Sequence, residues 1–336
     1  VNESIGLNTL ALYTVGSAAL FMAVQKAKAR VELSLAKHRS LAGHPRTARR
    51  VAALLPSYAY DEAQAFAVDG APADVVERRK AAFAAMVVQF QQRFPKSLRA
   101  SSEAAEMLSD LQFVSAYRLP FQFRKLAAKG LKVASFVQSS AGVTVTDLDG
   151  NTFYDLTGSY GVNLFGNDFY KDCIERGSDM VSDLGPVLGA YHPVMLDNVQ
   201  RLRAISGMEE MSFHMSGTEA VMQAVRLARY HTGRSKLVRF CGSYHGWWGD
   251  VQPGIGNPVP ARDTFTLSEM GEATLRVLRK RKDIACILIN PLQALHPNMA
   301  APSDGSLLDS SRKAHFDRPA YTAWLKTLRE ICDERG

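Results

Sequence analysis

Three short apolar runs, Met211–Phe213, Leu237–Phe240 and Ile284–Ile289, separated by stretches with helical spacing, constrain the second half of this chain more than any other feature. Short, mostly apolar runs of that kind suit strands covered on both faces, as in a parallel α/β sheet. The last helical stretch, about Pro319 to Glu334, reaches Gly336 with no strand after it. A βαβ repeat returns to its sheet after each helix, so the expectation is a chain that stops inside a domain. Upstream, Val143 and Val145 alternate with Thr144 and Thr146, Asp149-Gly150 supplies a turn, and Thr152–Leu156 resumes an extended pattern, which together predict a hairpin.

The first part of the chain reads differently. Residues 1–140 hold 19 basic against 10 acidic side chains, whereas 141–336 hold 21 against 23, so the net charge of +7 belongs to the first part. Lys26–Arg50 has eight basic residues and one acid, without the interleaved aromatics of a single-strand binder, which argues against a nucleic-acid partner. Ile5–Val24 is uncharged, just long enough to span a bilayer, and followed at once by Lys26, Lys28 and Arg30. Two readings stand side by side: a membrane anchor with its C-terminal side cytoplasmic, or a buried helix. From Val31 to about Arg99, positions such as Val75, Arg79, Ala82, Met86 and Phe90 recur at helical spacing between Pro56, Pro72 and Pro95, predicting helices of an accessory region. Four cysteines, at 173, 241, 286 and 332, form no CxxC or CxxH pairing. Neither a zinc module nor a disulfide scaffold is supported, and a reducing, cytoplasmic compartment is expected. The predicted organisation is an apolar helix over 1–24, a basic helical region over 25–112, an opening segment over 113–190 and a larger α/β domain over 191–336.

Candidate chemistry gathers at two places. In Phe213–Arg229 a strand is expected to end near His214, Gly217 permits a tight turn, and Thr218 is read as the cap of a helix packed through Val221, Ala224, Val225 and Ala228. Such a helix start, with Ser216, Gly217 and Thr218, either cradles a phosphate or simply caps a helix. The strand Leu237–Cys241 delivers Gly242–Gly249 at its carboxyl end, where open α/β sheets place ligands. Glycines there let a flat group approach Tyr244, and His245 is either a functional group or a hydrogen-bonded loop residue.

Taken together, Ser216–Trp248 resembles the pyridoxal-phosphate (PLP) segment of class III aminotransferases, aminomutases included. Asp147–Gly161 is similar to that family's opening strands, and Leu188-Gly189-Ala190 to the start of its large domain, so the resemblance covers about residues 113–336. It implies an α/β chain of the PLP-dependent fold type I, here a partial large domain with a parallel-rich sheet behind a mostly helical N-terminal region. It also implies a homodimer, a small-molecule amino donor and a carbonyl acceptor. By the same resemblance Ser216, Gly217 and Thr218 hold the cofactor phosphate, Tyr244 covers the ring with His245 beside it, and Ser159, Tyr160, Asn290 and Gln293 are candidates for the substrate pocket. Two of these depart from the family pattern: Tyr160 stands where the aminomutases have Trp, and Asn290 precedes Pro291 where the family has Glu. The Schiff-base lysine and the aspartate facing the ring nitrogen follow the last helix in the family, so both are expected beyond Gly336. The insertion Ala301–Arg312, with Arg312 and Arg318, is either a polar surface excursion or a pocket loop whose arginines meet a substrate carboxylate. The reading is amino transfer to an aldehyde or ketone, with an aminomutase or a non-catalytic scaffold as alternatives.

Overall fold

In a computed structural model the described residues are 2–37, 65–111, 136–240, 243–252, 262–290 and 317–336, with Thr47, Arg50, Val51, Leu54, Phe123, 125–127 and Leu131 besides; side chains are described from residue 12 onward. The chain divides into two compact units, one of residues 1–55 and 210–336, the other of residues 56–209.

The second unit begins with two helices, α2 (Ala73–Arg93) and α3 (Pro95–Met107), each started by a proline at the position where its missing N–H costs nothing. Then β1 (Val137–Ala141), β2 (Thr144–Asp147) and β3 (Thr152–Tyr154) form an antiparallel meander, so the predicted hairpin is present with an additional strand before it. The hairpin tip also caps a helix. The Asp149 carboxylate accepts from the backbone N–H groups of Lys96 and Ser97 at 2.7 and 2.9 Å and from the Ser97 hydroxyl at 2.7 Å, satisfying the first turn of α3. Two more helices, α4 (Asn167–Val181) and α5 (Val194–Ser206), follow in this unit.

In the other unit α6 (Gly217–Thr232) leads into β4 (Lys236–Phe240), followed by β5 (Thr264–Leu267), α7 (Glu272–Lys280), β6 (Ile284–Leu288) and α8 (Arg318–Arg335). Strand β4 pairs in parallel with β5 on one side and β6 on the other. Both faces are covered, which explains the mostly apolar runs; the one charged side chain inside them, Arg239, is buried and donates to Thr266 Oγ1 at 3.3 Å. Val238 and Phe240 face Leu275 and Leu278 of α7 and Tyr321, Trp324, Leu328 and Ile331 of α8, while Leu237 faces Val225 of α6 and Val251. Tyr321 donates to the Asn290 carbonyl at 3.1 Å, and burial, with the Glu269 carboxylate second, pushes its hydroxyl up to about 12.

Three expectations change here. Met211–Phe213 forms no strand, because among the described residues no neighbour exchanges ladder hydrogen bonds with it. Strand β5, whose Thr-Phe-Thr-Leu sequence lacks an apolar run, was not anticipated. Helix α1 (Asn2–Ala36) is continuous, but it is not a buried helix over its described apolar part: Leu12, Val15, Leu20 and Phe21 are 65% exposed or more. Its C-terminal end packs, with Leu33 and the fully buried Ala36 against the cluster around Trp324 and with Lys37 bridging to Leu267. Among the described residues, no helix is long and apolar enough to cross a membrane.

Candidate active site

The N-terminus of α6 is capped in the manner of a capping box, with the returning bond reaching one residue further back. Ser216, in extended backbone, accepts the Glu219 N–H through Oγ at 3.2 Å, and the Glu219 carboxylate accepts the Met215 N–H at 3.0 Å. The cap is therefore Ser216 and not Thr218, which lies inside the first turn. The expectation placed it two residues late, because Ser-Gly-Thr-Glu offers two hydroxyl residues and only the first has Glu three positions on. Once these bonds are made, the N–H groups of Gly217 and Thr218 have no acceptor among the described residues. They sit at the positive end of a 16-residue helix.

The loop after β4 closes onto this turn. Trp247 N–H donates to Thr218 Oγ1 at 3.4 Å, and Gly246, at φ +95°, lies so close that a Cβ there would stand 2.5 Å from Thr218 Oγ1 and 2.9 Å from Thr218 Cα. Glycine at 246 is what allows the approach. The loop side chains alternate, with Tyr244 and Trp247 turned to solvent at 71% and 74% exposure and His245 and Ser243 buried. Behind the loop, Arg229 of α6 pairs with Asp250 at 2.8 Å, donates to the Ser235 carbonyl at 2.8 Å and lies 5.8 Å from the Trp248 ring. This brace joins residues 21 positions apart, and no sequence motif announces it.

His245 is 8% exposed, and its Nε2 is buried without a partner among the described residues. Burial, with the nearby Arg239 guanidinium second, holds its pKa below the ordinary histidine value, so the folded ring stays neutral. The unfolded chain binds a proton near pH 6.5 that the folded chain resists, so the contribution of His245 is full above that pH and is lost as the pH falls toward the folded value. Urea midpoints measured from pH 7 to pH 5 should fall, and the decline should be shallower in His245→Gln.

Of the sequence-predicted residues, the structure brings together Ser216, Gly217, Thr218, Tyr244 and His245 on one helix start and one loop. Asn290 follows β6, which runs parallel to β4, so it leaves the sheet at the same end as the loop. Ser159 and Tyr160 belong to the other unit, in the turn Gly158–Gly161. Both have left-handed backbone, φ +48° and +57°, an arrangement costing roughly 1–3 kcal/mol per residue. The Asp155 carboxylate pins the approach to this turn, accepting from the Thr157 hydroxyl at 2.6 Å and from the Thr157 and Gly158 N–H groups, which holds it below the usual carboxylate range. Gln293, Cys241, Gly242 and Arg312 lie outside the described residues.

Comparison with known proteins matches residues 126–250 to the family described as aminotransferase class-III, which spans both the α6 turn and its covering loop. Relatives include glutamate-1-semialdehyde 2,1-aminomutase of Chlorobium limicola, 31% identical over 219 residues, covering 60% of this chain and 46% of that protein. The same enzyme of Halorubrum lacusprofundi is 30% identical over 220 residues, covering 59% and 43%. This chain thus spans about half the length of the curated relatives it matches. Among solved structures, a transaminase with PLP bound shares 26% identity at a TM-score of 0.55, over 72% of this chain and 54% of that one. A glutamate-1-semialdehyde aminomutase from Pseudomonas aeruginosa shares the fold at a TM-score of 0.58 and 20% identity, over 77% and 54%. The chain therefore shares the fold of PLP-dependent aminotransferases.

Proposed function

We propose that this chain carries the phosphate-holding part of a class-III PLP site and that the complete enzyme, as a homodimer, moves an amino group between a small-molecule donor and an aldehyde or ketone. The observation that carries this reading is the capped start of α6 with the Gly217 and Thr218 N–H groups open and the Gly246 loop pressed against it. Two convergent backbone donors at a helix N-terminus suit a phosphate dianion. The Ser216 and Thr218 hydroxyl oxygens already accept bonds from Glu219 and Trp247, which leaves each O–H proton available to donate. Tyr244 offers a ring face to a flat heterocycle. When bound, PLP supplies an electron sink for the carbon that carries the amino group. The aminomutase names of the relatives favour a second reading, in which nitrogen moves within one substrate. Dependence on an external amino donor separates the two.

The test is PLP titration of the full-length protein, followed by cofactor absorbance. Thr218→Val and Tyr244→Ala should each weaken PLP retention about tenfold, the size of one lost polar or stacking contact of about 1.4 kcal/mol. Unchanged occupancy in both variants overturns the site. A full-length protein with no PLP absorbance that borohydride can fix leaves the non-catalytic reading in its place.

A further inference from the structure

The helical part of the second unit contains a feature that the proposed amino transfer leaves unused. Among the described residues, a cavity of about 520 Å³ is lined by Phe66, Phe83, Met86, Phe123, Leu126 and one charged residue, Arg79. Phe66 and Phe83 meet edge to face, their centroids 5.8 Å apart. The α2 face presenting Arg79, Ala82 and Met86 is the one whose helical spacing is visible in the sequence. The orientation of Arg79 distinguishes this cavity from an ordinary gap between helices. Both Nη1 protons are engaged, donating to the Phe66 and Val68 carbonyls at 3.1 Å each. That anchors the guanidinium while its Nε–Nη2 edge has no acceptor among the described residues. This edge is the side-on fork that takes a carboxylate through two parallel N–H···O bonds.

We infer that this cavity is a binding site for an apolar monocarboxylate: one carboxylate on the Arg79 fork, and a medium-length hydrocarbon or aryl body between Phe66, Phe83 and Met86. The volume lies within the range of small-molecule sites. A single fork in apolar walls matches one negative charge and leaves the further oxygens of a phosphate without donors. This inference is independent of the cofactor-site reading, since it uses no residue of that site.

The experiment is calorimetric titration of the full chain with octanoate and, separately, with octan-1-ol, which keeps the tail and removes the charge. Octanoate should bind saturably, and at least tenfold tighter than octan-1-ol. Arg79→Met should erase that preference, and Ala82→Phe, which fills the cavity while keeping Arg79, should abolish both bindings. Circular dichroism confirms that each variant is folded. Should Arg79→Met fail to fold, the octanoate to octan-1-ol ratio in the unaltered chain and the Ala82→Phe result still decide. Absence of saturable octanoate binding, equal affinity for the two probes, or octanoate binding unchanged in Ala82→Phe or in folded Arg79→Met overturns the inference. The first of these is also the outcome expected if a neighbouring segment of the chain occupies the cavity.

Discussion

Gly246→Ala should cost the full-length protein about 3 kcal/mol and most of its PLP retention. Two separate penalties add. The position has φ +95°, where an L side chain is strained by roughly 1–3 kcal/mol. The new Cβ would also lie 2.9 Å from Thr218 Cα and 3.0 Å from Thr218 Cβ, a clash with a helix backbone that no rotamer change relieves and that overpacking data place at about 1–3 kcal/mol. Relief requires the loop and the first turn of α6 to separate, which breaks the Trp247 N–H to Thr218 bond and moves the Gly217 and Thr218 donors. Thermal unfolding should show Tm lower by roughly 6–12 °C, and PLP titration should show affinity weaker by about a hundredfold. Gly177→Ala, inside α4 with nothing within 4 Å of a new Cβ, is the control: it should leave PLP affinity unchanged and raise stability slightly, by roughly 0.5–1 kcal/mol, as a helix-interior Gly→Ala change does. If Gly246→Ala behaved like that control, the close approach would not be what shapes the site.

How much of this was legible depended on where each residue finds its partners. Strands β4 and β6 announce themselves because both of their faces are covered, so neither needs an alternating pattern. Strand β5 did not, since Thr264 and Thr266 interrupt its apolar residues although Thr266 is buried against β4, where its hydroxyl meets Arg239 at 3.3 Å. Met211–Phe213 has the composition of a strand without a ladder partner, which composition alone does not reveal. The cap at Ser216 was legible in principle: Ser followed three positions later by Glu marks a capping box, and weighing Glu219 would have chosen it over Thr218. Gly246, by contrast, is one of several loop glycines in the sequence. Only the 2.5 Å separation from Thr218 Oγ1 singles it out. The Arg229–Asp250 brace and the left-handed backbone at Ser159 and Tyr160 depend on distant contacts and on turn geometry, and neither leaves a local signature.

Trp324→Ala should be the most destabilising single change in the α/β unit, at about 3–5 kcal/mol. The ring is 6% exposed and meets Phe240 at 5.9 Å between centroids in an edge-to-face arrangement, so truncation removes both a large apolar area and a specific aromatic contact. The surroundings cannot collapse to fill the space, because four elements converge there: β4 through Val238 and Phe240, β5 through Leu267, α7 through Leu275 and Leu278, and the end of α1 through Ala36. That convergence gives the variant a second, more telling readout. Ala36 is fully buried, and its carbonyl accepts the Ser268 N–H at 2.9 Å, so the C-terminal turn of α1 belongs to the same core despite lying far away in sequence. Hydrogen exchange in Trp324→Ala should therefore rise at Ser268 together with the amides of β4, while the amides of α1 before Lys26, whose described side chains are exposed, should exchange at their original rates. Protection lost in β4 but kept at Ser268 would mean that α1 docks on the sheet edge without sharing its core.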